Sequence, residues 1–190
     1  MNNKYLFTST RLGFRNWIET DIPKMIKISG NEEVMNFFPT VATPEQTTIF
    51  TRKLQDLFEE KGYCYFAVDE LETGKFMGFI GFYFQDYESE FTPAVDIGWR
   101  LHPDFWGKGY ATEGAKACLD YGKDTLKLKK VISTAPQINK PSINVMKKIG
   151  MKKKLEFIHP KLKDNERLRN CVCYEIDFQK NPNFDKSYKI

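Results

Sequence analysis

The stretch from Ala94 to Gly122, AVDIGWRLHPDFWGKGYATEGAKACLDYG, constrains this chain more than any other. Ala94 to Leu101 is mostly apolar or aromatic and stops at His102-Pro103-Asp104, which predicts a strand ended by a turn. Gly107 and Gly109 then flank Lys108, and a helical spacing of Ala111, Ala115, Cys118, Leu119 and Gly122 follows at once. The order is strand, glycine loop, helix. A first helical turn presents unpaired N–H groups and the positive end of the peptide dipoles, so this loop suits phosphate. Glycine lets a pyrophosphate approach the backbone closely, although the same glycines also fit a plain connection without a ligand. A P-loop needs Ser or Thr after Lys108, where Gly109 stands, and a dinucleotide fingerprint needs Gly or Ala where Thr112 stands.

Trp106, Gly107, Lys108, Gly109, Tyr110 and Ala111 resemble the acetyl-CoA signature of the GNAT superfamily of N-acetyltransferases. That signature reads Arg or Gln, two residues, Gly, one residue, then Gly or Ala. Trp106 departs from its first position, yet Trp-Gly-x-Gly-Tyr-Ala-Thr-Glu is similar to the branch that includes the ribosomal-protein N-terminal (RimJ/RimL-like) acetyltransferases. A second segment adds to the resemblance. Asn139, two residues, Ser142, then a helix ending at Gly150-Met151 follow the family's pattern, and the likeness runs from about residue 8 to 179. It implies a single α/β (α+β) domain over residues 1–180, with a mixed twisted sheet of about six to seven strands flanked by about four helices, and a tail at 181–190.

The rest of the chain is read from its punctuation. Residues 5–17 suggest a first strand, Asp21 a cap for a helix from Ile22 to Ser29, and Glu32 to Asn36 a further helical turn. Thr43-Pro44-Glu45-Gln46 predicts a capping box, with Ile49, Phe50, Leu54, Leu57 and Phe58 on one apolar face and Gly62 as the stop. Tyr63 to Asp69 and Lys75 to Tyr83 read as a hairpin around Thr73-Gly74. Asp86, Glu88 and Glu90 make an acidic loop, read as solvated rather than as an amine lure. Lys130 to Thr134, Leu155 to Ile158 and Cys171 to Phe178 are further strands, with a Pro141-started helix between the first two.

Composition excludes several classes. The chain of 190 residues supports one substantial core. No apolar run approaches the ~18 residues that span a bilayer, and the N-terminus lacks a signal-peptide core, so a cytoplasmic location and no membrane partner are expected. Cys64, Cys118, Cys171 and Cys173 lack zinc spacing and read as reduced small hydrophobes; no metal is expected. The net charge of +4 and the lysines of 123–163 carry no aromatic-basic RNA motif, so nucleic acid is not an expected partner.

For chemistry, the resemblance implies acetyl-CoA as donor and a primary amine, either a protein N-terminus or a small molecule, as acceptor. Transfer is expected to occur by direct attack in a ternary complex. The pyrophosphate is expected on the N–H groups of Gly107 to Ala111 with Thr112 at the edge, and the pantetheine arm on the backbone of Trp99, Arg100 and Leu101 and on Asn139. Asp96 is the ionisable residue inside an otherwise apolar strand, where burial raises a carboxylate's pKa and makes it a better base. It also matches a strand glutamate that is the base in some GNAT enzymes; the alternative is a structural carboxylate satisfied by backbone or by Arg100. The resemblance gives Ser142 as the acid near the thiol, or else a helix cap. Met146 stands where many relatives carry a tyrosine. His159 is a reserve base, and His102 reads as a turn residue. A non-catalytic acetyl-CoA sensor of the same fold is the alternative function, and family habit leaves room for a homodimer.

Overall fold

The computed structural model describes residues 4–180, so the expected tail at 181–190 lies outside the described residues. Eight strands form one sheet in the order β1-β2-β3-β4-β5-β6-β8-β7. They are β1 (Phe7–Thr8), β2 (Leu12–Arg15), β3 (Tyr65–Glu70), β4 (Phe76–Gln85), β5 (Ala94–Leu101), β6 (Lys130–Pro136), β7 (Lys152–Ile158) and β8 (Asn170–Asp177). Four α-helices flank them: α1 (Ile22–Ser29), α2 (Pro44–Lys61), α3 (Tyr110–Asp124) and α4 (Lys140–Lys148). The expected six to seven strands become eight. The opening segment turns at Ser9 to Arg11 and pairs with itself, Phe7 against Phe14, so one expected strand is a short hairpin.

All neighbouring strands are antiparallel except β5 and β6, which are parallel and joined by the single pair Asp96 and Ile132. One step further, Ser133 Oγ donates to Ile97 O at 2.8 Å in place of a backbone rung. Beyond that the strands part, and Pro136, at the far end of β6, has no N–H to offer. The sheet is thus two half-sheets meeting at one seam.

Alternation along the strands sends Leu12, Phe14, Phe66, Ile80, Phe82 and Ile97 to the face covered by α3, all of them at 0% exposure. Gly114 of α3 lies over Leu12, Phe14 and Ile80. The opposite face carries Arg15, Tyr65, Phe79, Asp96 and Arg100; Phe50 of α2 packs near Phe79, and Ser29 of α1 meets Arg100. Among the described residues no helix is long and apolar enough to cross a membrane. All four cysteines are free and buried.

Helix α2 follows its sequence signals. Thr43 Oγ1 accepts from Gln46 N at 3.1 Å, Gln46 Oε1 accepts from Thr43 N at 2.9 Å, and Gly62 closes the helix at φ +73°. Thr43→Ala is expected to cost about 1 kcal/mol, read as a lower urea midpoint with an unchanged slope. Ile49 departs from the expected apolar face and is 61% exposed. Asp21 stands at the N-cap of α1 as expected, but its side chain makes no capping hydrogen bond to that helix. Its carboxylate, at 0% exposure, receives Arg15 Nη1 and Nη2 at 2.6 and 2.9 Å. Residues 32–36 form turns held by Asn31 Oδ1, which accepts from Glu33 N and Val34 N, rather than a helix.

Candidate active site

The parting of β5 and β6 opens a cleft of about 1040 Å³, at the upper end of the range for small-molecule sites. Its lining includes Trp99 to Leu101, Trp106, Gly107, Gly109 to Thr112, Asn139 and Ser142, so nearly all the expected site residues come together. Lys108 is not among them: its carbonyl accepts from Arg11 Nη2 at 3.1 Å on the outer side of the loop.

The glycine loop has the backbone that its sequence requires. Gly107 and Gly109 sit at φ +72° and +82°, a region closed to most side chains, and Gly109 is the N-cap of α3. A Cβ at Gly107 would meet no atom within 4 Å, so it is the left-handed backbone rather than crowding that calls for glycine there. Neighbours hold the loop from outside. Trp106 Nε1 donates to Leu101 O at 2.8 Å, Tyr110 Oη donates to Glu70 Oε1 at 2.6 Å, and the Arg11 guanidinium stacks 4.1 Å over the Tyr110 ring. A diphosphate therefore fits the residues present: a glycine cradle opening onto a helix N-terminus.

Strand β5 offers the cleft one of its backbone edges. Ile97 O and Leu101 O face β6 and the loop, whereas His102 N donates to Met77 O of β4, so Trp99, two residues from each of the first pair, also turns its N–H and C=O to the cleft. Arg100 turns its backbone to β4 and its side chain to the opposite, α1–α2 face. Across the cleft, Asn139 Oδ1 caps α4 by accepting from Ser142 N at 3.1 Å. The cap is therefore Asn139, and Ser142 Oγ makes no hydrogen bond among the described residues.

At the seam lies Asp96, 5% exposed. Its Oδ1 accepts from Tyr65 Oη at 2.5 Å; Arg100 forms no ion pair with it. Burial pushes the Asp96 carboxyl up to about 6, against the opposing pull of Tyr65 and the neighbouring Gln85 amide. Burial, then the Asp96 charge, holds the Tyr65 phenol well above its ordinary value, so it remains a donor. Tyr65 is the site residue that sequence reading missed. Its signal was the register: Tyr65, Gly81 and Gly98 stand in one row across three strands, and a Cβ at Gly98 would lie 3.0 Å from the Tyr65 ring.

Both histidines make local hydrogen bonds. His102 Nδ1 accepts from Asp104 N at 3.3 Å and His159 Nδ1 from Lys161 N at 3.2 Å, each capping a short turn. His159 also lines the cleft, packed 4.7 Å from the Tyr87 ring, and burial followed by Lys161 lowers its pKa. Asp86, Glu88 and Glu90 are exposed and outside the cleft.

Comparison with known proteins agrees with this geometry. The profile of the family described as "Acetyltransferase (GNAT) domain" matches residues 11–152. The chain is 35% identical to the uncharacterized N-acetyltransferase YnaD of Bacillus subtilis over 147 residues, covering 77% of this chain and 82% of that protein. It is 31% identical to the uncharacterized protein YkkB of the same organism over 154 residues, 80% of this chain and 87% of that one. A solved GNAT-family acetyltransferase of Bacillus anthracis superposes with a TM-score of 0.76 at 29% identity, covering 90% of this chain and 98% of the other. The glycine cradle, the open seam and the match over most of the sequence lead to one assignment: this chain belongs to the GNAT family of N-acetyltransferases.

Proposed function

We propose that the protein moves an acetyl group from acetyl-CoA to a primary amine by direct attack in a ternary complex, with Asp96 as the base. One observation carries this reading: a buried carboxylate poised near neutrality stands where the half-sheets part, and a pyrophosphate cradle opens into the same cleft. The bound thioester supplies an activated acyl carbon. Gly107 to Ala111 hold the diphosphate, and Trp99 pairs with the extended arm as a missing strand would. Asp96 takes a proton from the incoming ammonium, Tyr65 fixes the orientation of its carboxylate, and Ser142 Oγ donates to the departing sulfur. Nitrogen loses two protons in all: the one gained by Asp96 leaves to solvent, and the second, released as the amide forms, replaces the one that Ser142 gives to the sulfur. The likeness of Trp106 to Glu113 to the ribosomal-protein branch supports a relative of those enzymes, with an amine rather than a hydroxyl as nucleophile.

Two measurements test the reading. Acetyl-CoA at about a hundred times its dissociation constant is expected to stabilise the fold by roughly 2.7 kcal/mol, with no shift from NAD, and free thiol should appear when an amine panel is added. Binding without thiol release from any amine would leave a sensor of the same fold. Gly109→Ala is expected to cost about 1–2 kcal/mol through its left-handed backbone and to weaken acetyl-CoA binding about tenfold, as read by titration calorimetry. Unchanged affinity would move the diphosphate away from this loop.

A further inference from the structure

The α1–α2 side of the cleft contains a cation without a counter-ion. Arg100 projects there from β5, with Nη1 donating to Ser29 Oγ at 3.1 Å and the guanidinium held 4.4 Å over Phe38 and 5.3 Å over Phe79. Its Nε is buried and has no hydrogen-bond partner, and among the described residues Arg100 makes no ion pair. A buried, orphaned N–H on a guanidinium is costly and calls for an acceptor. Burial pulls the guanidinium down to about 10, with only the Tyr65 side chain opposing, which fits a charge that lacks an anion.

Among the described residues no acidic group is placed to neutralise it. The acidic residues lining the cleft are Asp96 and Glu33; Asp96 is engaged by Tyr65, and Glu33 is exposed at the mouth. Phe38, Phe50 and Phe79 make the neighbouring wall apolar. A polyamine would find one buried carboxylate and one buried cation, which repels it. Arginine's fork suits a carboxylate, which can take Nε–H and an Nη–H together.

We propose that Arg100 recognises a carboxylate on the acceptor, so that the acceptor is a small primary amine that also carries a carboxylate several bonds away. This rests on the acetyl-transfer reading for the position of the amine, at Asp96. Asp96 and Arg100 are four residues apart on one face of β5, about 13 Å between α-carbons at ~3.3 Å per residue, with the Tyr65 ring between them. The amine and anionic ends of the acceptor therefore engage separate points of the cleft. An ω-amino carboxylate spans them better than a single α-amino acid does.

The test compares matched pairs on the wild-type protein and on Arg100→Met and Arg100→Lys. The pairs are γ-aminobutyrate with propylamine, ε-aminohexanoate with pentylamine, and phenylalanine with phenethylamine; spermidine is the polycation control. Acetyl transfer is followed by thiol release, and acceptor binding to the CoA-saturated protein by calorimetry. At least one of the two ω-amino carboxylates is expected to exceed its matched amine about a hundredfold in kcat/KM, since a site built for a polar group rejects analogues lacking it; a preference confined to phenylalanine overturns the proposal. Arg100→Met should bring the pair within about threefold, and Arg100→Lys should fall between. Equal or better turnover of the plain amines or spermidine by the wild type overturns the proposal. So does an Arg100→Met loss that is equal for both members of each pair, the sign of a purely structural arginine. Arg100-dependent heat from a carboxylate without turnover supports the proposal and counts against catalysis instead. No heat and no turnover with any carboxylate overturns it.

Discussion

Asp96→Asn is expected to lower kcat by about two to three orders of magnitude, the usual share of a general base, while the dissociation constant for acetyl-CoA stays within about twofold. The carboxylate lies at the seam, away from the glycine cradle, so donor binding and proton removal separate. In the wild type, the acid limb of kcat/KM should fall through about pH 6, where Asp96 takes up its proton and ceases to be a base. The same substitution should stabilise the fold. Asp96 rises from an ordinary 3.8 to about 6 on folding, so its neutral form is favoured in the native state. Its contribution to stability is fully present below pH 3.8 and is lost as pH rises through about 6. At pH 8 the wild type therefore carries a cost of about 3 kcal/mol that the asparagine avoids. Melting curves at pH 8 and pH 4 read this directly, with a large gap expected at the first and a small one at the second. Unchanged kcat, or a variant less stable at pH 8, would remove Asp96 from the base role.

Arg15→Met should be the most damaging change outside the cleft. Arg15, Asp21 and Asp69 are 6%, 0% and 1% exposed. The guanidinium donates through Nε and Nη2 to Asp69 at 2.8 and 2.7 Å and through Nη1 and Nη2 to Asp21 at 2.6 and 2.9 Å. Removing the cation leaves the buried Asp21 carboxylate without its cation and Asp69 with only Lys4 and Tyr5. Breaking such a pair costs about 3–5 kcal/mol, here a fall in Tm of about 10 °C at 2–4 °C per kcal/mol. Burial alone would raise Asp69, but Arg15 and Lys4 outweigh it and hold its carboxyl below the ordinary value. The ion pair's stabilisation is thus present above the unfolded pKa and lost as pH falls through the lower folded one. In the variant, Asp69 without Arg15 is relieved by protonation, so its deficit should be widest near pH 7 and shrink towards pH 3. A deficit independent of pH would point to lost packing rather than to charge.

The sequence announced those parts whose cause is local. Gly107 and Gly109 need left-handed backbone, and Thr43 to Gln46 cap their own helix, so loop and helix start could be read without tertiary knowledge. Asp96 was legible as an odd carboxylate in an apolar strand. Its partner was not, because the Tyr65 contact depends on the joint register of β3, β4 and β5. Asp21 holds the N-cap position that its sequence signals, but an arginine six residues earlier takes its carboxylate. Ser142 and Asn139 were both visible, but which of them caps α4 required the backbone angle at Asn139. The face taken by the Arg100 side chain was hidden in the same way, since alternation along β5 separates it from Trp99 and Leu101 on either side.

The open seam also has a meaning for the life of the protein in a cell. Half of the sheet is tied to the other half by one residue pair, so an extended occupant that bonds to β5 supplies rungs that the chain itself omits. Whatever binds the native state but not the unfolded one slows proteolysis by mass action. Abundance would then track the supply of the donor: all copies would be cleared faster during acetyl-CoA shortage than in plenty, with no change in transcription.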